Sequence, residues 1–126
     1  GFIFRLTNQD PPAIVSVKHE GGLRAVTALS GVNILDLLLN NAYKSFPDRY
    51  LGFNVETEVD IDVAGIKSKQ IVFTYSGPSG NIAKQRFVII PKDSDSAILI
   101  SLQSTELDYE ELNSLHFNYL VESIQL

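Results

Sequence analysis

The sequence predicts an α+β fold: an antiparallel sheet of about six strands sandwiched between helices, in the order β-β-α-β-β-β-β-α. Three observations predict it. Residues 53–126 read as four extended segments joined by three short turn signals and closed by one amphipathic helix. Phe87-Val88-Ile89-Ile90 and Ala97-Ile98-Leu99-Ile100 are apolar at consecutive positions. A strand apolar on both sides needs cover on both faces of its sheet, which places helices outside it. The length of 126 residues, 44% hydrophobic and 20% charged, suits one compact domain with its own core.

Phe2–Leu6 and Ala13–His19 read as strands of a hairpin, separated by the turn cluster Asn8-Gln9-Asp10-Pro11-Pro12. Gly21-Gly22 opens a stretch to Val32 that is long, glycine-bearing and unpatterned, and is expected to be a mobile contact surface, with short strands within Arg24–Leu29 as the rival. At Asn33 the spacing to Asp36 predicts a helix N-cap. Ile34, Leu35, Leu38, Leu39, Ala42 and Tyr43 recur at intervals of three and four, so the first helix is expected to run to about Phe46 and stop at Pro47. Asn40, Asn41, Lys44 and Ser45 face water.

From Phe53 to Val63 the chain alternates, with Val55, Thr57, Val59, Ile61 and Val63 on one side and Glu56, Glu58, Asp60 and Asp62 on the other. Four carboxylates are therefore expected on one strand face. Ala64-Gly65 can make a two-residue turn that sets Asp62 opposite Lys67 and Asp60 opposite Lys69. The next strand reaches about Tyr75, Gly77-Pro78-Ser79-Gly80 turns the chain, Ile82–Ile90 returns, Lys92-Asp93-Ser94-Asp95 turns again, and Ala97–Leu102 follows. The closing helix is expected to begin at Asp108, whose spacing to Glu111 suggests a capping box. Leu112, Leu115, Tyr119, Leu120, Val121 and Ile124 form its expected inward stripe. No internal repeat, low-complexity tract or domain linker interrupts the chain.

The net charge is -5, from 10 Lys and Arg against 15 Asp and Glu, and no basic run stands out, so nucleic acid is not an expected partner. No apolar stretch reaches the roughly 18 residues of a membrane span. The absence of cysteine removes disulfides and thiolate chemistry. The start at Gly1, in an apolar run without Met, points to a fragment or a processed product.

One strand bearing Ile14-Val15-Ser16-Val17, a helix, an acidic-apolar strand, the turn Val63-Ala64-Gly65-Ile66, a meander opening on Ile71-Val72-Phe73-Thr74-Tyr75 and Gln85-Arg86, and a helix ending Leu120-Val121-Glu122-Ser123-Ile124 follow in order. This succession resembles the PsbP-like family, the photosystem II extrinsic subunit-like domains whose fold is shared with a nuclear Ran-binding factor. The likeness covers most of residues 1–126 as a single α/β sandwich domain, lacking the family's usual opening segment with its Pro and Trp. It implies an antiparallel sheet between helices. It also implies an extracytoplasmic protein (periplasmic, cell-surface or thylakoid-lumenal), often a lipoprotein anchored through that segment, which binds or helps assemble other proteins.

Catalytic candidates are few. His19 and His116 are the only imidazoles and stand 97 positions apart; with Glu20 beside one and Glu111 or Asp108 near the other a metal site is conceivable, but the spacing does not favour it over two solvated or core-edge histidines. Asp93-Ser94-Asp95 has alternating oxygens but lacks the remaining ligands of a calcium loop and reads as a turn. The acidic row could be a paired-carboxylate hydrolase site, whereas pairing with Lys67 and Lys69 accounts for it without chemistry. No serine lies in a Gly-x-Ser-x-Gly context, and Gly77–Gly80 joins two strands. Tyr43, Tyr50, Tyr75, Tyr109 and Tyr119 read as packing residues. The expectation is a non-enzymatic accessory or protein-binding domain with no catalytic residue, cofactor or metal. The alternative is a small-molecule carrier or enzyme with a pocket between sheet and helix.

Overall fold

The computed structural model describes the backbone of residues 2–6 and the residues 13–77 and 79–124. Gly1, the turn cluster at 8–12 and Pro78 lie outside the described residues. Six strands, β1 (Phe2–Leu6), β2 (Ala13–Glu20), β3 (Asn54–Val63), β4 (Ile66–Ser76), β5 (Ile82–Ile90) and β6 (Ala97–Thr105), form one sheet in the order β1-β2-β6-β5-β4-β3. Every neighbouring pair is antiparallel. The helices are α1 (Leu23–Ser30), α2 (Ile34–Arg49), α3 (Glu106–Leu112) and α4 (Asn118–Glu122), the last two joined by a π-helical turn over Asn113–Phe117 into one closing helix. No single helix among the described residues is long and apolar enough to cross a membrane.

The doubly apolar strands are covered on both sides. Phe87 and Ile89 of β5 join Ile71, Phe73 and Ala97 under Ile34, Leu38, Leu39, Ala42 and Phe46 of α2. Val88 and Ile90 join Ala13, Val15, Val72, Ile100 and Leu102 under Tyr109, Leu112, Phe117 and Val121 of the closing helix. Burying one such side chain completely stabilises the fold by about 1.5–3 kcal/mol. On the α2 side the anchor is aromatic: the Phe46 ring stands 5.1–6.0 Å from those of Tyr50, Phe53, Phe73 and Phe87.

Asn33 caps α2 as its spacing predicts, its Oδ1 accepting the Asp36 N–H at 2.9 Å. The helix runs on to Arg49 instead of stopping at Pro47. In the last turn Pro47 forfeits only its own donor, and the Tyr50 N–H still reaches the Phe46 carbonyl at 2.8 Å. The stretch expected to be unpatterned or stranded is α1, framed by Gly22 and Gly31 in left-handed conformation. Leu, Arg and Ala are good helix formers, and the Gly31 N–H closes the end on the Thr27 carbonyl. The element order therefore carries one more helix than predicted.

The closing helix starts at Glu106, two residues before Asp108, with Thr105 as its cap and Asp108 accepting the Thr105 hydroxyl at 2.8 Å. Its inward stripe also differs. Tyr109, Leu112, Phe117 and Val121 are buried, whereas Leu115 is 61% and Tyr119 71% exposed. The π-turn inserts one residue into the helical repeat, so Leu112 is followed on the inner face by Phe117 and not by Leu115.

Candidate functional site

Asp60 and Asp62 stand opposite Lys69 and Lys67 as the turn at Ala64-Gly65 requires, both turn residues having positive φ. Lys69 Nζ lies 2.7 Å from Asp60, and that bond raises the Lys69 pKa. The row of four carboxylates is broken, however. A bulge between Val55 and Thr57 leaves Glu56 without a partner on β4. Glu58 stays on the α2 side, where it accepts the Tyr43 hydroxyl at 2.6 Å. Glu56 crosses to the closing-helix side, where its Oε2 lies 2.8 Å from Lys84. Because Glu56 and Glu58 face opposite layers while Glu58, Asp60 and Asp62 keep one register, the paired-carboxylate arrangement that includes Glu56 does not exist.

His19 is exposed and His116 half-buried in the π-turn. Among the described residues no three His, Asp or Glu side chains converge as a metal site would need. Asp93 and Asp95 serve different partners. Asp93 Oδ1 accepts the Asp95 N–H and the Ser96 hydroxyl, both at 2.9 Å, which holds its carboxyl below the usual range. Asp95 instead reaches α1, its carboxylate accepting the N–H groups of Gly22 at 3.3 Å and Arg24 at 3.0 Å while its carbonyl accepts that of Leu23. A residue of the β5–β6 turn thus supplies the cap that Gly22 cannot.

So held, α1 buries none of its residues; Val26 is 46% and Leu29 91% exposed. Beside it, Thr27, Asn33, Ile34, Leu35, Pro91 and Ser94 line a cleft of ≈ 350 Å³. A larger groove, ≈ 920 Å³, opens at the end of the sheet past the C-terminus of α2. Tyr50, Tyr75, Leu51, Ile82 and Gln103 are among its walls. Arg49 lies 5.5 Å from the Tyr50 ring centre, and the Tyr75 hydroxyl donates to Gln103 Oε1. Burial first, then Tyr50, pushes the Tyr75 phenol up to about 12. Opposite Gln103 and Phe73, Gln85 is 1% exposed, and its Oε1 finds no hydrogen-bond partner among the described residues.

One polar cluster was not foreseen from the sequence. Under the closing helix, Glu56, Gln70, Lys84, Arg86, Asn113 and Asn118 surround a cavity of ≈ 340 Å³. Arg86 is 8% exposed. Its Nε donates to Gln70 Oε1 at 2.6 Å, and its Nη1 to Asn113 Oδ1 at 3.1 Å and Asn118 Oδ1 at 2.7 Å. Burial lowers its pKa. Lys84 Nζ stands 4.7 Å from the Tyr109 ring centre and 3.8 Å from Glu110. An Arg in a strand predicted to be covered on both faces is the signal that could have found this cluster.

No protein-family model matches the chain, and no curated protein matches it. Among solved structures it is similar to PA94 of Pseudomonas aeruginosa, a protein of unknown function, with a TM-score of 0.77, 14% identity, and coverage of 99% of this chain and 81% of that one. The likeness is one of fold. A second similar structure is LpqN of Mycobacterium tuberculosis, described as involved in cell envelope biogenesis, with a TM-score of 0.56 and 12% identity; the match covers 90% of this chain and 61% of LpqN. The α+β antiparallel architecture is shared with both.

Proposed function

We propose that the chain is a non-enzymatic accessory domain of PsbP-like type, extracytoplasmic and membrane-associated, which binds a protein partner and assists the assembly or stability of a larger complex. The observation that carries this reading is α1. Eight residues are too few for a helix to persist alone, yet this one is capped from a distant turn and presents Val26 and Leu29, one turn apart, to solvent. The adjoining cleft offers a recess for a partner's side chain. The acidic, bulged edge strand β3 is less suited to recognition, because charge and bulges discourage strand addition. Likeness in fold to LpqN, described as involved in cell envelope biogenesis, supports an accessory role there.

The test is affinity capture from membrane and soluble fractions of the native organism, comparing the natural chain with the double variant V26D/L29D. A defined membrane complex retained by the first and lost by the second, with circular dichroism unchanged, is the expected outcome. Identical retention by both removes α1 as the contact surface. The groove at Tyr50 and Tyr75 favours a second reading, a small-molecule carrier. An empty capture, together with a small molecule that copurifies with the natural chain, would replace the first reading with this one.

A further inference from the structure

The Arg86 cluster has a chemical asymmetry independent of α1. A guanidinium can only donate, so the three amides that contact it must each turn their oxygen toward it. Their nitrogens, Gln70 Nε2, Asn113 Nδ2 and Asn118 Nδ2, are thereby left as donors. Arg86 Nη2 adds further N–H groups, with no hydrogen bond among the described residues. Nor is it an enclosed atom without a partner, which among the described residues is true of Gln85 Oε1 alone. Nη2 is therefore open to solvent, and Arg86 lines the ≈ 340 Å³ cavity.

Charge follows the same pattern. Lys84 is matched by Glu56 at 2.8 Å, with Glu110 at 3.8 Å. No carboxylate lies within ion-pair distance of Arg86 among the described residues, and the charge of Glu122 acts on it only from farther off, although taking a cation out of water costs several kcal/mol unless it is paired. The helix is also shaped around this contact. Residues five apart stand about 140° apart on an α-helix of 3.6 residues per turn. The π-turn brings Asn113 and Asn118 to the same guanidinium nitrogen, and such turns recur at functional sites.

We propose that this cavity binds the carboxylate group of a small organic acid, with Arg86 Nη2 as the charged donor and the amides of Gln70, Asn113 and Asn118 as neutral ones. Arg86 has no ion-pair partner of its own, but Glu56 and Glu110 share the lining with Lys84 and leave it with as many carboxylates as cations, so the smallest ligand charge, a monoanion, is the one it admits. A phosphate dianion would exceed it and meet Glu56 and Glu110. Val72 and the Tyr109 ring supply an apolar wall for the ligand's carbon skeleton.

The probe is acetate, titrated into the full chain at constant ionic strength with chloride, and then inorganic phosphate under the same conditions. The readout is the nitrogen–proton correlation spectrum of the Asn113, Asn118 and Gln70 side chains and of Arg86 Nε. Expected is a saturable shift confined to these groups with acetate and weaker or absent with phosphate. Asn118→Asp, a change at an exposed helix position, places a permanent carboxylate beside Arg86. It is expected to raise the thermal midpoint and weaken acetate binding by roughly 10- to 100-fold, the worth of one charge-assisted hydrogen bond. Absence of a saturable shift in the natural chain overturns the proposal, as does equal binding by phosphate or undiminished acetate binding in Asn118→Asp; Arg86 is then only a clamp between sheet and helix.

Discussion

Three phenols, those of Tyr43, Tyr75 and Tyr109, are pushed up to about 12, with burial the first cause at each and the Glu58 contact adding to it at Tyr43. Above pH 10 the unfolded chain releases protons that the folded chain keeps. Their contribution to stability is therefore complete below about pH 10 and is lost as the pH rises through about 12. Titration followed by tyrosinate absorbance should show these three phenols ionising near pH 12, together with loss of the fold. Ionisation of all three near pH 10 in a chain that stays folded would refute it. Packing roles for these tyrosines were readable from their positions in apolar patterns; the one expected of Tyr119 is overturned, because its side chain is exposed. The sides taken by Val55 and Glu56 were equally hidden, because a bulge leaves the alternation of the letters intact while exchanging the layers of the residues that precede it: Val55 packs on the α2 side and not with Ile61 and Val63 as the alternation predicts.

At the scale of elements, the closing helix separates what periodicity can and cannot say. The intervals at Leu112, Leu115 and Tyr119 fit an ordinary α-helix, and nothing in them announces a wider turn. The signal was available only as Phe117, a large apolar residue left off the expected stripe. If the π-turn sets the stripe, Phe117→Ala should cost about 3–5 kcal/mol, as truncation of a buried Phe does, and Leu115→Ala should fall within about 0.5 kcal/mol of zero. Urea unfolding measures both, and comparable losses would restore the plain α-helical register. The strands fared better. Turn residues at Ala64-Gly65 and Lys92–Asp95 fix hairpin register locally, so Asp60 and Lys69 could be paired from sequence and are paired in the fold. The Arg86 cluster could not be assembled in the same way, since its members come from β4, β5 and both sides of a π-turn.

For the molecule as a whole, both layers are needed because β5 is apolar on both sides. Ending the chain after Thr105 would bare Val72, Val88, Ile90, Ile100 and Leu102 together, a continuous patch of the kind that drives aggregation. Such a chain should lose its cooperative thermal transition and bind hydrophobic dyes; a sharp transition in a monomeric truncated chain would show that the sheet and α2 suffice. The link between Asp95 and α1 has a different consequence, one of timing. Asp95 lies 73 and 71 positions beyond the amides it caps at Gly22 and Arg24, so the helix lacks its anchor until the β5–β6 hairpin has closed. On that account α1 is expected to settle late, and, burying none of its residues, to lose amide protection early in native-state hydrogen exchange. Val26 and Leu29 then stand as a fixed pair only on a finished molecule, so the contact surface proposed for them is expected to be complete only once the β5–β6 hairpin has closed.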